Sequence, residues 1–159
     1  MSPLARRITS SKAFLRAISA AHIAVYTRSG GRLGARFRGM QFLLLHHTCA
    51  RTGLARTTPL LCLPDAATGA LAVVGSNGGR PEHPAWLHNL RRTPQAEVTL
   101  GRSRHAVTAR EADAGGRERL WPLLDAAYPY GEYRARAGRE IAIVLLYPSS
   151  SAASSSIFQ

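Results

Sequence analysis

Four short apolar runs constrain this 159-residue chain more than any other feature: QFLLLHH (Gln41 to His47), RTTPLLCL (Arg56 to Leu63), LAVVGS (Leu71 to Ser76) and IAIVLLY (Ile141 to Tyr147). Each is strand-length, and most are apolar at consecutive positions, the pattern of strands buried on both faces. The second and third are separated by turn residues at Pro64-Asp65 and Thr68-Gly69, which predicts a hairpin. Glu97 to Leu100 and His105 to Glu111 form a second predicted hairpin turning at Gly101-Arg102. Helices are expected over Pro84 to Arg92 and over Gly116 to Tyr128, where Leu120, Leu123, Leu124 and Ala127 make one stripe. Six strands with uneven helices imply a mainly β, α+β fold: a small closed or split barrel covered by helices, not a doubly wound parallel sheet. The length suits a single core.

The N-terminal part reads differently. From Lys12 to Thr27, Phe14, Ala17, Ile18, Ala21 and Val25 recur at helical spacing while Lys12, Arg16 and Ser19 take another side, so an amphipathic basic helix is expected. Its apolar stripe has two readings, packing on its own domain or lying on an anionic membrane surface. The first acidic residue of the chain is Asp65, and ten of the twelve excess positive charges precede it. Such an acid-free front end draws in anions without specifying which. The expected organisation is a basic helix and loop over residues 1–39, a barrel over 40–148 and a disordered serine-rich tail over 149–159.

Cys49 and Cys62 carry neither a C-x-x-C motif nor a disulfide framework, which suits a reducing cytoplasm. The longest uncharged apolar run is too short to cross a bilayer, and Arg16 interrupts any export signal, so a cytoplasmic or membrane-peripheral protein is expected. His46 and His47 are neighbours on a strand and point to opposite faces, and His83 and His88 lack companions at ligand spacing; no metal site is expected.

Candidate binding residues lie between the strands. Arg51 and Thr52 with Arg56, Thr57, Thr58 and Pro59 flank a tight turn, and guanidinium forks beside turn N–H groups suit a phosphate or carboxylate. In Gly75-Ser76-Asn77-Gly78-Gly79 the glycines allow close backbone approach to a flat ligand, although no dinucleotide fingerprint is present. Trp86 and Asn89 share one face of a short helix, as a heterocycle wall or as core. Tyr128, Tyr130 and Tyr133 form a phenol cluster able to line a pocket or donate a proton, or simply to pack.

In order along the chain, LLLHHT-x-x-R-T-G-x-x-R-T-T-P-L-L, SNGG-x-x-x-H-P-A-W-x-x-N-L-R-x-x-P, V-T-A-R-E, R-x-x-L-W-P-x-L-x-x-A-Y-P and R-E-I-x-I-V-x-L resemble the deazaflavin (F420)-dependent nitroreductase family. The resemblance covers roughly residues 40 to 148. It implies a six-stranded split β-barrel of the FMN-binding type and coenzyme F420, an 8-hydroxy-5-deazaflavin with a phosphate and an oligoglutamate tail. It also implies hydride transfer from the reduced coenzyme to a quinone-like, nitroaromatic or activated-alkene acceptor. By this resemblance Arg51, Thr52, Arg56, Thr57, Thr58, Pro59, Leu60 and Leu61 hold the phosphate and tail region. Val74, Gly75, Ser76 and Asn77, with Ala85, Trp86, Leu87, His88 and Asn89, contact the deazaflavin, while Ser76, Tyr128, Tyr130 and Tyr133 form the substrate side. Cys49 and Ala50 stand where the family usually has glycine and a basic residue.

Two enzymatic or carrier alternatives use the same barrel: ordinary flavin mononucleotide as cofactor, or coenzyme storage without catalysis. A nucleic-acid-binding barrel would need aromatic and basic residues interleaved on an exposed strand face, whereas these strands are apolar, so no nucleic-acid partner is expected. The expected partner is a small-molecule electron acceptor; the oligomeric state is not readable.

Overall fold

The computed structural model describes residues 12–31, 36–37 and 40–149, with side chains described for 17–31 and 40–149. The predicted tail lies outside them except for Ser149, as do the side chains of Lys12, Phe14 and Arg16. In chain order the elements are α1 (Lys12–Ser29), β1 (Arg36–Phe37), β2 (Met40–Thr48), β3 (Ala55–Asp65), β4 (Ala70–Val74), a 3-10 turn (Asn77–Gly79), α2 (Ala85–Arg92), β5 (Gln95–Leu100), β6 (Ser103–Glu111), α3 (Ala114–Ala127), α4 (Tyr130–Ala137) and β7 (Ile143–Pro148).

All strand pairings are antiparallel, in the order β1-β2-β3-β4-β7-β6-β5, and a further β2–β5 pairing at Leu44↔Thr99, Leu45↔Val98 and His46↔Glu97 closes six strands into a barrel. The short β1 extends the edge of β2 at Gln41 and Met40, below the β5 contact. The apolar runs have the burial their patterns predicted. In β4, Leu71 and Val73 point into the barrel while Ala70, Ala72 and Val74 lie in a second cluster with Leu120 and Leu124 of α3 and Tyr130 of α4. In β7, Val144 and Leu146 face inward, and Ile143 and Leu145 face that second cluster. A strand buried on both faces cannot alternate polar and apolar residues, hence LAVV and IVLL.

β3 is paired unevenly. β2 covers it from Ala55 to Cys62, whereas β4 covers only Cys62 to Asp65, so one edge of Ala55–Leu61 has no neighbouring strand among the described residues. Pro59, which donates nothing to a ladder, sits on that segment, where proline is tolerated. The hairpin between β3 and β4 is tied by Asp65, a buried carboxylate accepting from the Ala67 N–H (3.2 Å), the Thr68 hydroxyl (2.6 Å) and both terminal nitrogens of Arg119 on α3. A residue that reads from sequence as a turn former also fastens α3 to the barrel.

α2 plugs one end of the barrel with Trp86, Leu87 and Leu90 in the inner core. Asn89 locks the plug. Its Oδ1 accepts the Ala50 N–H (2.8 Å), which fixes Nδ2 as the donor toward His47 Nδ1 (2.9 Å). The His47 proton therefore sits on Nε2, which donates to Thr58 Oγ1 at 3.0 Å. Burial first, then the nearby Arg56 and His46, pushes His47 down to about 4 and keeps it neutral.

α1 corrects one expectation. It packs on the barrel through Tyr26, whose hydroxyl donates to the Phe42 carbonyl (3.1 Å) and accepts from the Gly101 N–H (2.7 Å), and through His22 set edge-on against Phe42. At Gly31 (φ +77°) an added Cβ would stand 2.4 Å from Gly101 Cα, so only glycine permits this close approach. The apolar stripe inferred as the packing face, Ala17, Ile18, Ala21 and Val25, instead points to solvent, with Ile18 51% and Val25 47% exposed. α4 was not anticipated, because its sequence YGEYRARA buries only Tyr130 and Ala137.

The pH dependence of stability follows from these groups. Below about 6.5 the unfolded chain takes up a proton that folded His47 refuses until about 4, so stability falls across that window; His47→Gln removes this component of the thermal-midpoint profile. Folded Asp65 is held below its ordinary 3.8 by Arg119, so its contribution is present above that value and lost as pH falls through the lower folded value. Asp65→Asn is expected to cost about 2 kcal/mol at neutral pH and to flatten the profile only below pH 4.

Candidate functional site

The plugged end of the barrel gathers the loop between β2 and β3, the loop between β4 and α2, and the exposed edge of α2. The β2–β3 loop is a tight turn closed by Cys49 N to Leu54 O and Gly53 N to Cys49 O, both 2.8 Å, with Gly53 at φ +71°. Arg51 and Thr52 are exposed on it and Arg56 is exposed just beyond. Arg91, Arg104, Arg117, Arg119 and Arg134 each meet a carboxylate. Arg51 and Arg56 have no such partner among the described residues, so their charge remains available to a ligand. Hydrogen bonds from the Thr52 hydroxyl and N–H, then the Arg51 N–H, draw the Cys49 thiol of this turn down to about 7. Ala50 has its N–H spent on Asn89.

The second loop runs from Gly75 to Pro84. Gly75 fits tightly, since an added Cβ would lie 3.3 Å from Leu87 Cδ2. Asn77 has φ +48°, and its side-chain amide donates to the Glu82 carbonyl at 2.9 Å. Gly79, at φ +75°, lies where a Cβ would come within 3.2 Å of the Tyr133 backbone, so the Ser76 loop and the tyrosine helix α4 are in contact. Tyr128, which caps the end of α3, and Tyr133 of α4 share a 2.9 Å hydroxyl–hydroxyl bond and are half-buried, while Tyr130 is 4% exposed beside them. Burial, with the neighbouring phenols, pushes Tyr130 up; the bond to Tyr128 pushes Tyr133 up to about 12. Both stay protonated at neutral pH and can act as hydrogen-bond donors.

β3 connects the two regions. Leu61 packs in the cluster that holds Tyr128, Tyr130 and Tyr133, and Pro59 and Thr57 follow on the same face toward Arg56. From Leu61 to Arg56 the strand spans about 17 Å, along the edge that β4 leaves uncovered.

Not every residue singled out from sequence is free to face a ligand. Trp86 and Asn89 do share a face, but it is the one turned into the barrel: the indole is core, 5% exposed, and the amide is committed to His47 and Ala50. Ala85 and His88 are the exposed positions of that helix segment, and Leu87 is core. Thr58 and Leu60 point inward, Thr58 to His47. Thr57 faces outward, with its hydroxyl 2.9 Å from His46 Nδ1, and His46 Nε2 reaches Thr99 at 2.8 Å, joining β2, β3 and β5. Val74 belongs to the outer core. A cleft of about 590 Å³ opens beside Arg56 and Thr57, walled by His46, Gln95, Glu97 and Arg104. Sequence reasoning set aside His46 and His47 once they were seen not to share a metal, and it gave Arg139 no role; the R-E-I motif held the signal for Arg139. Among the described residues no group of His, Cys, Asp and Glu is arranged to hold a metal ion.

Comparison with known proteins joins this geometry to a family. A family model described as F420H(2)-dependent quinone reductase matches residues 18–148. An F420H(2)-dependent quinone reductase of Mycobacterium tuberculosis (strain H37Rv) is 38% identical over 130 residues, 79% of this chain and 86% of that protein. Among solved structures, the F420-H2 dependent reductase FDR-A superposes with a TM-score of 0.59 at 34% identity, covering 66% of this chain and 92% of its own. A second, described as a domain-swapped dimer, superposes with a TM-score of 0.63 at 30% identity, covering 84% and 96%. The family match over most of the chain, the identity and the shared fold leave one conclusion: the chain belongs to the F420H(2)-dependent quinone reductase family, oxidoreductases that use coenzyme F420.

Proposed function

We propose that the strip from Arg51 and Arg56, along the outer edge of β3, to Ser76 and the Tyr128–Tyr133 pair is the site where this chain binds reduced coenzyme F420 and a quinone-like, nitroaromatic or activated-alkene acceptor. The observation that carries this reading is the edge of Ala55–Leu61 that has no strand beside it among the described residues, which links guanidiniums that meet no carboxylate among those residues to the Tyr128–Tyr133 phenol pair. The donor set fits the coenzyme. Arg51, Arg56, Thr52 and the turn N–H groups suit its phosphate and anionic tail, and the Gly75–Asn77 backbone with Ala85 and His88 suits the edge of a flat ring. Pro59, Thr57 and Leu61 line the stretch between. Trp86, Leu87, Asn89, Thr58 and Leu60 act from behind, by fixing α2 and β3.

When bound, the reduced deazaflavin supplies the hydride. The chain's own task is to hold the acceptor against that ring, exclude water and deliver a proton. Tyr133 and Tyr128 suit proton delivery, because their shared bond orients one hydroxyl and Tyr133 is held protonated. Ser76, on the loop packed against α4, suits orientation of the acceptor. Tyr130, buried among its neighbours, serves mainly to pack this pair.

Fluorescence titration at fixed ionic strength is expected to show saturable binding of oxidised coenzyme F420 and none of flavin mononucleotide at matched concentrations; preference for the latter would overturn the reading. Arg51→Gln and Arg56→Gln should each weaken binding, by a factor that shrinks as salt is raised. In turnover assays with menadione, Tyr133→Phe and Tyr128→Phe should lower kcat about 10- to 100-fold with little change in coenzyme affinity, while Tyr130→Phe should chiefly lower the thermal midpoint.

The exposed stripe of α1 favours a further reading of location: the cytoplasmic face of the plasma membrane, contacted peripherally, where a lipid-soluble quinone would be met. No described helix is long and apolar enough to cross a membrane. Ile18 and Val25 are exposed on a helix whose surrounding sequence is basic and acid-free up to Asp65, the combination that suits anionic headgroups. Co-sedimentation with phosphatidylglycerol vesicles should be strong for the full chain and lost in Ile18→Glu/Val25→Glu; equal sedimentation of both would remove this part of the proposal.

A further inference from the structure

Arg139 is unusual among the arginines of this chain. It is half-buried and meets no carboxylate at ion-pair distance among the described residues, yet its guanidinium donates to five backbone carbonyls. Nη2 donates to the carbonyls of Gly75 (3.2 Å), Ser76 (3.3 Å) and Glu82 (3.1 Å), Nε to that of Arg80 (3.3 Å) and Nη1 to that of Glu140 (3.1 Å). Four of these acceptors lie on one loop, 57 to 64 positions away in sequence. Gly138, at φ +62°, ends α4 and turns the chain so that the next side chain reaches back across that loop.

A loop of SNGG composition has little of its own to fix its shape. Asn77 and Gly78 both have positive φ, and few of the loop's side chains are buried. The Arg139 fork supplies the missing constraint by gathering carbonyls from both ends of the loop, Gly75 and Ser76 on one side and Arg80 and Glu82 on the other. It also ties the loop to α4 and β7, the elements that carry the tyrosines and close the barrel. Five N–H donors in a planar fork can serve separated acceptors at once; a lysine ammonium is a point charge on a flexible stem and cannot.

We propose that Arg139 is a positioning residue of the coenzyme site: it clamps Gly75–Glu82 in the shape that receives the ring, acting through backbone carbonyls and not by attracting the coenzyme's charge. This rests on the site proposed above. Because the charge is turned onto carbonyls and not toward the ligand, its contribution to binding should be independent of salt, in contrast to that of Arg51 and Arg56.

The test compares wild type with Arg139→Gln and Arg139→Lys, the second keeping the charge should the first not fold. Hydrogen exchange without coenzyme is expected to accelerate at least tenfold at residues 75–83 in both variants, with β2, β3 and β7 unchanged. The dissociation constant of oxidised coenzyme F420 should rise at least tenfold, by the same factor at low and high salt, and the KM for the reduced coenzyme should rise more than kcat falls. Full rescue by lysine, a loss of affinity that vanishes in high salt, or unchanged exchange over 75–83 would each overturn the clamp. If wild type itself fails to bind the coenzyme, the site reading falls and the coenzyme role of Arg139 with it, whereas the exchange result still decides whether the clamp exists.

Discussion

Strand β2 is held along both edges, by β3 over nearly its full length and by β5 at Leu44 to His46, and the remaining architecture depends on that double pairing. It closes the sheet on itself, so Leu43 and Leu45 are sealed in an interior that no open sheet of this size would provide. Closure removes an edge strand and creates two ends. One end is stopped by α2, and the stop is polar at its margin: Asn89, His47 and Thr58 satisfy one another in sequence, each bond fixing the direction of the next. A buried network of this kind is stable only when every member is paired, which explains the neutral imidazole.

The proposed site arises where this closure is incomplete. β4 is five residues long and β3 eleven, so half of β3 has an uncovered edge beside the plugged end. That mismatch leaves a strip along which a long, flat, anionic molecule can lie without opening the core. The groups that shape the strip are held from behind: β3 by the two histidine–threonine bonds, the glycine loop by Arg139, and the tyrosine helix by its contact with Gly79. Precision at such a site comes from rigid supports more than from the contacting residues themselves.

Charge is distributed to the same end. Four acids of the C-terminal half are met by arginines of that half, in Arg91–Glu111, Arg104–Glu97, Arg117–Glu140 and Arg134–Asp125, and Arg119 reaches back to Asp65. Exposed pairs of this type add little stability, but they neutralise the surface around them. Arg51 and Arg56, from the acid-free front end, meet no carboxylate among the described residues, which leaves them as a local positive field at the mouth of the strip.

The sequence alone specified the six strands, their hairpins and the barrel class, because double-sided burial writes apolar runs and tight turns write glycine, asparagine and proline. Its ordered motifs carried the family and hence the coenzyme. It could also show that Trp86 and Asn89 share a face, since helical spacing is local. Which way that face turns, whether the stripe of α1 packs or stays exposed, and which of two adjacent threonines looks outward were settled only by tertiary structure. Each depends on what lies across the fold: the barrel mouth opposite α2, Phe42 and Gly101 beneath Tyr26, the histidines of β2 beside Thr57 and Thr58. Arg139 is the sharpest case: the R-E-I motif marks its position, but its acceptors are backbone carbonyls, which every residue type carries, so the sequence does not show what it contacts.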